Sequence, residues 1–214
     1  MANPGVSSLT SAAKLSTLVG MYRHLTTCAV LLLSFLHSGW AAEVRTVSVS
    51  EEHGRYTATF DAMIAVPMGK ALRLMLTPGL WPQLSSIIID AKVLEKGDNG
   101  PRKVSVTFYD CIFVFCKTIH KVEDVTIGAD GHIESRAIPG QSDFSYAHED
   151  WHIFAEGDRT RVHYKSEMVP DFFVPPLIGP YFIKSHMRSQ LVHIAENLEK
   201  LAQPKIIPAS DKGQ

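Results

Sequence analysis

The last regular stretch of this sequence constrains its fold most. From about Pro176 to Ala202, Ile183, Met187, Leu191, Ile194, Leu198 and Leu201 recur every three or four residues, the pattern of one long amphipathic helix. Ahead of it come six strand-like segments in succession: "SIIIDAKVLEK", "RKVSVTFYD", "FCKTIHKVEDVTI", "GHIESRAI", "FSYAHEDWHIFAE" and "RTRVHYKSEM". Turn signals separate them at Asp98-Asn99-Gly100, Ala129-Asp130-Gly131, Pro139-Gly140 and Gly157-Asp158. A seventh strand, "RYTATFDAM", precedes two short helical stretches, "PMGKALRLMLT" and "PGLWPQLSSI". A seven-stranded antiparallel sheet has one face to bury, and a long helix with a single apolar stripe is what can cover it. The expected class is α+β in one domain, residues 43–203, followed by a tail over 204–214.

The formal net charge of −1 over 214 residues gives a polyanion nothing to hold, so no nucleic-acid partner is expected. The N-terminal residues 1–42 read as an export signal with an upstream extension. After Met21 come Arg23 and His24, an apolar run Leu25–Leu36, and small residues ending at Ala41 and Ala42. That run is shorter than the roughly 20 residues a membrane-spanning helix requires. The expected location is therefore outside the cytoplasm, in the periplasm, with an uncleaved anchor as the alternative. Export would leave Cys111 and Cys116 in a compartment that permits disulfides. On one continuous strand the two would point to opposite faces and stay apart. If the chain turns between them they face each other across a hairpin and can bond. Two buried thiols in a core strand are the other reading.

The order of elements resembles the START-like, helix-grip superfamily, which includes polyketide cyclases/dehydrases and coenzyme Q-binding proteins. The residues that carry the resemblance are "FDAMIAVPMGKALRLMLTPGLWPQL" and "GDRTRVHYKSEMVPDFFVPPLIGPYFIK". They are similar to the first strand with its Pro-led helix and W-P turn, and to the last hairpin strand with its exit into the gripping helix. The resemblance implies a curved sheet wrapped on the C-terminal helix, with an apolar ligand cavity between them. It implies no shared catalytic constellation. The expected lining is Tyr56, Phe60, Trp81, Val106, Trp151, Met187 and Leu191.

"HEDWH", His148 to His152, matches the H-E-x-x-H string of zinc proteases. That chemistry requires a helix, so that both imidazoles share one face. The segment also alternates, and a strand would hold the two histidines about 13 Å apart, too far for one ion. The strand reading fits the order of elements, and no metal is expected. His120, His132, His163, His186 and His193 show no ligand spacing. Arg136, Glu149, Glu167 and His163 lie on expected strands and point either into the cavity or to solvent. If the protein is an enzyme, Glu167 or His163 is the expected acid or base. There is no glycine-rich phosphate loop and no redox C-x-x-C, and no cofactor is expected.

Two apolar tips remain, "CIFVFC" with Ile112, Phe113, Val114 and Phe115, and "PDFFVPPLIGPYF" with Phe172, Phe173, Pro175, Pro176, Leu177 and Ile178. In an antiparallel meander both fall on one edge beside the start of the helix, where a cavity mouth would open. Pro175 and Pro176 donate no N–H, which lowers the cost of meeting lipid. Such a rim docks on a membrane or carrier, folds over the cavity as a lid, or meets a second protomer as a homodimer. The leading expectation is an exported protein that binds a lipid, a quinone or a polyketide-like aromatic. A cyclase or dehydratase is the alternative, and zinc hydrolysis through His148, Glu149 and His152 is a third.

Overall fold

The computed structural model describes residues 42–112 and 115–203. Residues 1–41, which hold nearly all of the expected export signal, the tail from 204, and Phe113 and Val114 lie outside the described residues. The elements are β1 (Glu43–Glu52), β2 (Arg55–Ile64), α1 (Met68–Met75), α2 (Trp81–Leu84), β3 (Ile88–Gly97), β4 (Gly100–Ile112), β5 (Phe115–Ile127), β6 (His132–Ala137), β7 (Phe144–Glu156), β8 (Arg159–Pro170) and α3 (Gly179–Ala202). The strands form one sheet in the order β1-β2-β8-β7-β6-β5-β4-β3, and every pair is antiparallel.

The sheet has eight strands, not the expected seven. The strand missed is β1. Its apolar residues Val44, Val47 and Val49 do not keep one parity, because the register shifts between Val44 and Thr46. A bulge there breaks the alternation by which strands are recognised. Its turn is His53-Gly54, both at positive φ (51° and 79°), the geometry of a two-residue hairpin normally announced by Asn-Gly.

The helix α3 begins at Gly179 rather than near Pro176, with Pro180 in its first turn, where a missing N–H costs nothing. Residues 176–178 form a turn instead, closed by the Gly179 N–H donating to Pro175 O at 2.8 Å. The C-terminal half of α3 is fixed by packing and by polar pins. Leu191, Ala195 and Leu198 join Ala58, Phe60, Ala62, Ile64 and Val162 in the main core. The buried Glu199 carboxylate accepts the Ala65 N–H beyond the end of β2, and Asn197 Nδ2 donates to Leu84 O at 3.0 Å. Ser85 Oγ meets Gln190 Oε1 at 2.7 Å, which ties α3 to the end of α2. A smaller core of Ala91, Val104 and Val106 lies at the β4-β3 end of the sheet, and Trp81 packs against both clusters. Its indole N–H donates to Met75 O at 2.9 Å, so the ring is held rather than free to fill space.

One turn is tightly specified. Gly131 has φ +79°, and a Cβ there would strike the Ile153 carbonyl oxygen and approach Met68 Cε to 2.6 Å. Gly131→Ala is therefore expected to cost about 2 kcal/mol in urea denaturation. Gly140→Ala should cost less: φ is +78°, but no atom lies within 4 Å. Equal losses would mean that backbone strain alone, not the close approach, sets the cost.

Candidate functional site

Side chains alternate across each strand, so parity decides which residues meet α3. Ile119, Lys121, Glu123 and Val125 of β5, Ile133 and Ser135 of β6, Ala147, Glu149 and Trp151 of β7, and Tyr164 and Met168 of β8 all face it. With Ile183, His186, Met187 and Gln190 from the N-terminal half of α3, and Leu191 and Ile194 just beyond its midpoint, they enclose a cavity of about 600 Å³. This volume falls within the roughly 300–1,000 Å³ of small-molecule sites. The wall is mostly apolar, which gives its charged residues particular weight.

Lys121 and Glu123 are buried, with Lys121 Nζ 2.8 Å from Glu123 Oε2 and 2.5 Å from Glu149 Oε1. Ser135 Oγ donates to Glu123 Oε2 at 2.9 Å. Burial would lower the pKa of the Lys121 ammonium, but the charges of Glu123 and Glu149 and its hydrogen bonds to both outweigh burial and hold it high. Burial pushes the Glu123 carboxyl up, and the neighbouring Glu149 charge adds to this against the opposing pull of Lys121. The Tyr164 phenol is raised well above its ordinary value, by burial first and then by Glu149. One ammonium thus serves two carboxylates. Such a cluster can hold an extra proton, or present an unshared carboxylate oxygen to a ligand donor.

A second polar pair lies on the wall nearer the mouth. His186 Nδ1 and Asp110 Oδ2 are 2.6 Å apart, and both residues line the cavity. The mouth itself is formed by Phe115, Cys116 and Lys117 on one side and by Phe172, Phe173, Val174 and Pro175 on the other. Lys117 Nζ sits 5.1 Å from the Phe172 ring centroid, so the two tips meet. Asp143 ties them together behind the rim: its N–H donates to His120 O, its carboxylate accepts the His120 N–H, and its carbonyl accepts the Asp171 N–H. Cys111 and Cys116 are paired in register and joined by a disulfide. Beyond the mouth, Phe173 is 80% exposed and Leu177 is 94% exposed.

Of the expected lining residues, Trp81, Val106, Trp151, Met187 and Leu191 reach the cavity. Tyr56 and Phe60 do not. They are 2% and 4% exposed on β2, beside the cavity-lining Met168 and Tyr164 of β8, and Phe60 belongs to the core cluster with Leu191, Ala195 and Leu198 of α3. Glu167 and His163, the expected acid or base, have the opposite parity to Tyr164 and Met168 and face away from α3. Glu167 pairs with Lys165 and Arg55, and His163 with Asp61. Arg136 is exposed and pairs with Glu134. Glu149 alone of the four weighed strand residues points inward. His148 and His152 lie on β7 four residues apart, and His148 is bound to Glu134 at 2.7 Å, so a helical zinc pair does not form. Among the rim residues, Phe115, Phe172, Phe173 and Pro175 line the mouth, whereas Pro176, Leu177 and Ile178 form the turn outside it.

Sequence reasoning missed Lys121, Glu123, Asp110 and His186. A signal for the first two existed: Ile119, Val125 and Ile127 share parity with Lys121 and Glu123, so two charges interrupt one apolar row.

No family model matches the sequence, and no curated protein sequence matches it. Solved structures do match the fold. A START superfamily protein from Mycobacterium smegmatis superposes with a TM-score of 0.55 at 17% identity, over 68% of this chain and 96% of that one. The Zhui aromatase/cyclase from Streptomyces sp. R1128 gives 0.56 at 12% identity, over 73% and 98%. A STAR-related lipid transfer protein fragment from Xanthomonas axonopodis gives 0.51 at 13% identity, over 73% and 99%. At such identities the likeness speaks for architecture alone. The sheet order, the gripping C-terminal helix and these superpositions agree: this chain has the fold of the START-like, helix-grip superfamily.

Proposed function

We propose that the chain binds an apolar small molecule, of the lipid, quinone or polyketide-like class, between the sheet and α3. The observation that carries this reading is an apolar cavity of about 600 Å³ with the Lys121–Glu123–Glu149 cluster in its wall. A ligand of matching chemistry has an apolar body and one polar group, such as a hydroxyl, that can meet an unshared carboxylate oxygen. The similar structures named as a lipid transfer protein and an aromatase/cyclase support the choice of ligand classes. Native mass spectrometry of protein purified from its own host, followed by organic extraction, tests it. A co-purifying apolar molecule, stoichiometric and lost on denaturation, is the expected result. Failure of every lipid, quinone and aromatic offered in titration to bind would overturn the reading.

A second reading, a cyclase or dehydratase on the same cavity, draws its support from acid–base groups in the wall. The Asp110–His186 pair and the raised Glu123 carboxyl could move protons to and from a bound ligand. Its groups differ from Glu167 and His163, which face the other way. Enzymatic turnover that His186→Ala removes, with ligand affinity retained, would favour this reading over simple binding.

The N-terminal apolar segment and the Cys111–Cys116 bond support export to a disulfide-permissive compartment. The rim supports transient docking on a lipid surface. Among the described residues no helix is long and apolar enough to cross a membrane, so any lipid contact from them would be peripheral. Each large apolar side chain that leaves water gains about 1.5–3 kcal/mol, which makes docking by Phe173, Leu177 and Phe115 strong enough to matter and weak enough to reverse. In liposome flotation, Phe173→Ser/Leu177→Ser is expected to lose most of the bound fraction. Equal flotation of variant and wild type would remove docking. A concentration-dependent dimer lost in the same variant would instead assign the rim to a second copy of the chain.

A further inference from the structure

The face of the sheet turned away from the cavity carries a row of side chains that no part of the ligand reading uses. His132 on β6, His152 on β7, His163 on β8 and Asp61 on β2 are successive cross-strand partners. Within that row the His132 and His152 rings stack, with centroids 4.4 Å apart and planes 12° from parallel. Asp150 lies two residues before His152 and so shares its face. One oxygen of its carboxylate is 3.0 Å from His132 Nε2, and the other is 2.8 Å from His152 Nε2. One ligand atom from each of the three residues lies within 4.8 Å of the other two.

We propose that His132, Asp150 and His152 bind one divalent first-row transition ion, with Zn²⁺ as the working case. Two imidazole nitrogens and a carboxylate oxygen are ligands of borderline softness, which suit Zn²⁺ and its neighbours rather than Mg²⁺ or Ca²⁺. Directly opposed residues on antiparallel strands hold their Cβ atoms about 4.5–5.5 Å apart, so the sheet itself pre-positions two imidazoles for one ion. Metal–ligand distances of about 2.0–2.2 Å are reached when the ion replaces the ring protons that now join each Nε2 to the carboxylate. The three residues are partly exposed, which leaves the remaining coordination positions to water.

The charges around the row select this trio. Asp61 has a permanent cation, Arg161, at 2.9 Å, and Glu134 has Arg136 at 2.5 Å. Among the described residues, the ion-pair partners of Asp150 are imidazoles only. With those rings neutral its charge is unmatched, and a divalent ion would supply the match. His163 is outside the set because its Nε2 is held by Asp61 at 3.2 Å. His148 is outside it because its Nε2 is held by Glu134, and four residues of strand separate it from His152. The site therefore uses one histidine of the H-E-x-x-H string but not the other, and it reaches across to β6 for its second ring. An ion here would clip β6 to β7 directly behind Glu149. The proposal stands apart from the cavity reading, and neither depends on the other.

Tag-free protein equilibrated with Zn²⁺ and passed through a desalting column is expected to retain one ion per chain by elemental analysis. Competition with a chromogenic chelator should show at least about tenfold weaker binding for Asp150→Asn, and more for His132→Ala. His148→Ala and His163→Ala should bind like wild type. Circular dichroism checks that each variant is folded. As a second readout, Zn²⁺ should raise the melting temperature of wild type relative to chelator, and this shift should vanish in Asp150→Asn. Sub-stoichiometric retention by wild type would overturn the proposal. So would affinity unchanged by both His132→Ala and Asp150→Asn, or equally weakened by His148→Ala.

Discussion

Lys121→Met is expected to lower the unfolding free energy by about 3–5 kcal/mol, because it strands two carboxylates in the cavity wall without their cation. For a chain of this size that is a fall of roughly 10 °C in melting temperature. The loss should depend on pH in a defined direction. Burial already raises the Glu123 carboxyl above its ordinary value, and removing Lys121 raises it further. A carboxyl whose pKa is higher folded than unfolded contributes stability below its unfolded value, and loses that contribution as pH rises through the folded one. The deficit of Lys121→Met should therefore be smallest near the ordinary glutamate value of about 4.3 and grow toward neutral pH. The triple change Lys121→Met/Glu123→Gln/Glu149→Gln removes the charges together and should restore most of the stability. Urea denaturation at several pH values measures all of this. A loss below about 1 kcal/mol, flat with pH, would mean that water reaches the cluster freely.

Ala147→Trp is expected to close the cavity from within. Ala147 is 5% exposed on β7, its side chain faces α3, and its cross-strand partner Met168 also lines the hollow. An indole at this position would take up space that a ligand needs. Affinity for a neutral probe such as N-phenyl-1-naphthylamine should fall by more than about tenfold, or about 1.4 kcal/mol. Because the indole enters unfilled volume, the overpacking cost of about 1–3 kcal/mol seen in a solid core should not appear. Unchanged probe affinity would place binding elsewhere on the molecule. A large loss of stability would mean that the hollow is smaller than its walls suggest.

The sequence was most legible where periodicity is local. The bounds of β5 and β7 coincide with "FCKTIHKVEDVTI" and "FSYAHEDWHIFAE", since alternation and turn residues mark both ends. Five of the seven expected lining residues reach the cavity. The two that fail, Tyr56 and Phe60, share the parity of their β8 partners Met168 and Tyr164, which do line the cavity, but they lie one strand farther out and are buried, and parity cannot tell filled from hollow. Glu167 and His163 failed for a plainer reason: they sit on the outward parity of β8, and a strand read alone does not say which face is which. The buried Lys121–Glu123–Glu149 cluster spans two strands that are not neighbours. Glu149 stands alone on its own strand, and no spacing within one strand brings it to Lys121. The same holds for His132 and His152, which are twenty positions apart in the chain yet opposed across a ladder.

The pairing of β2 with β8 has a consequence for the order in which this protein can assemble. As the chain emerges during synthesis, β1 and β2 can form a hairpin, and β3 to β7 can form a meander from local contacts. Neither piece has a partner for its inner edge until residues 159–170 arrive and zip the two together. Closure by the final helix comes later still. Binding competence is thus the last property acquired, and a nascent polypeptide stalled before that point exposes two open edges suited to chaperones or to aggregation.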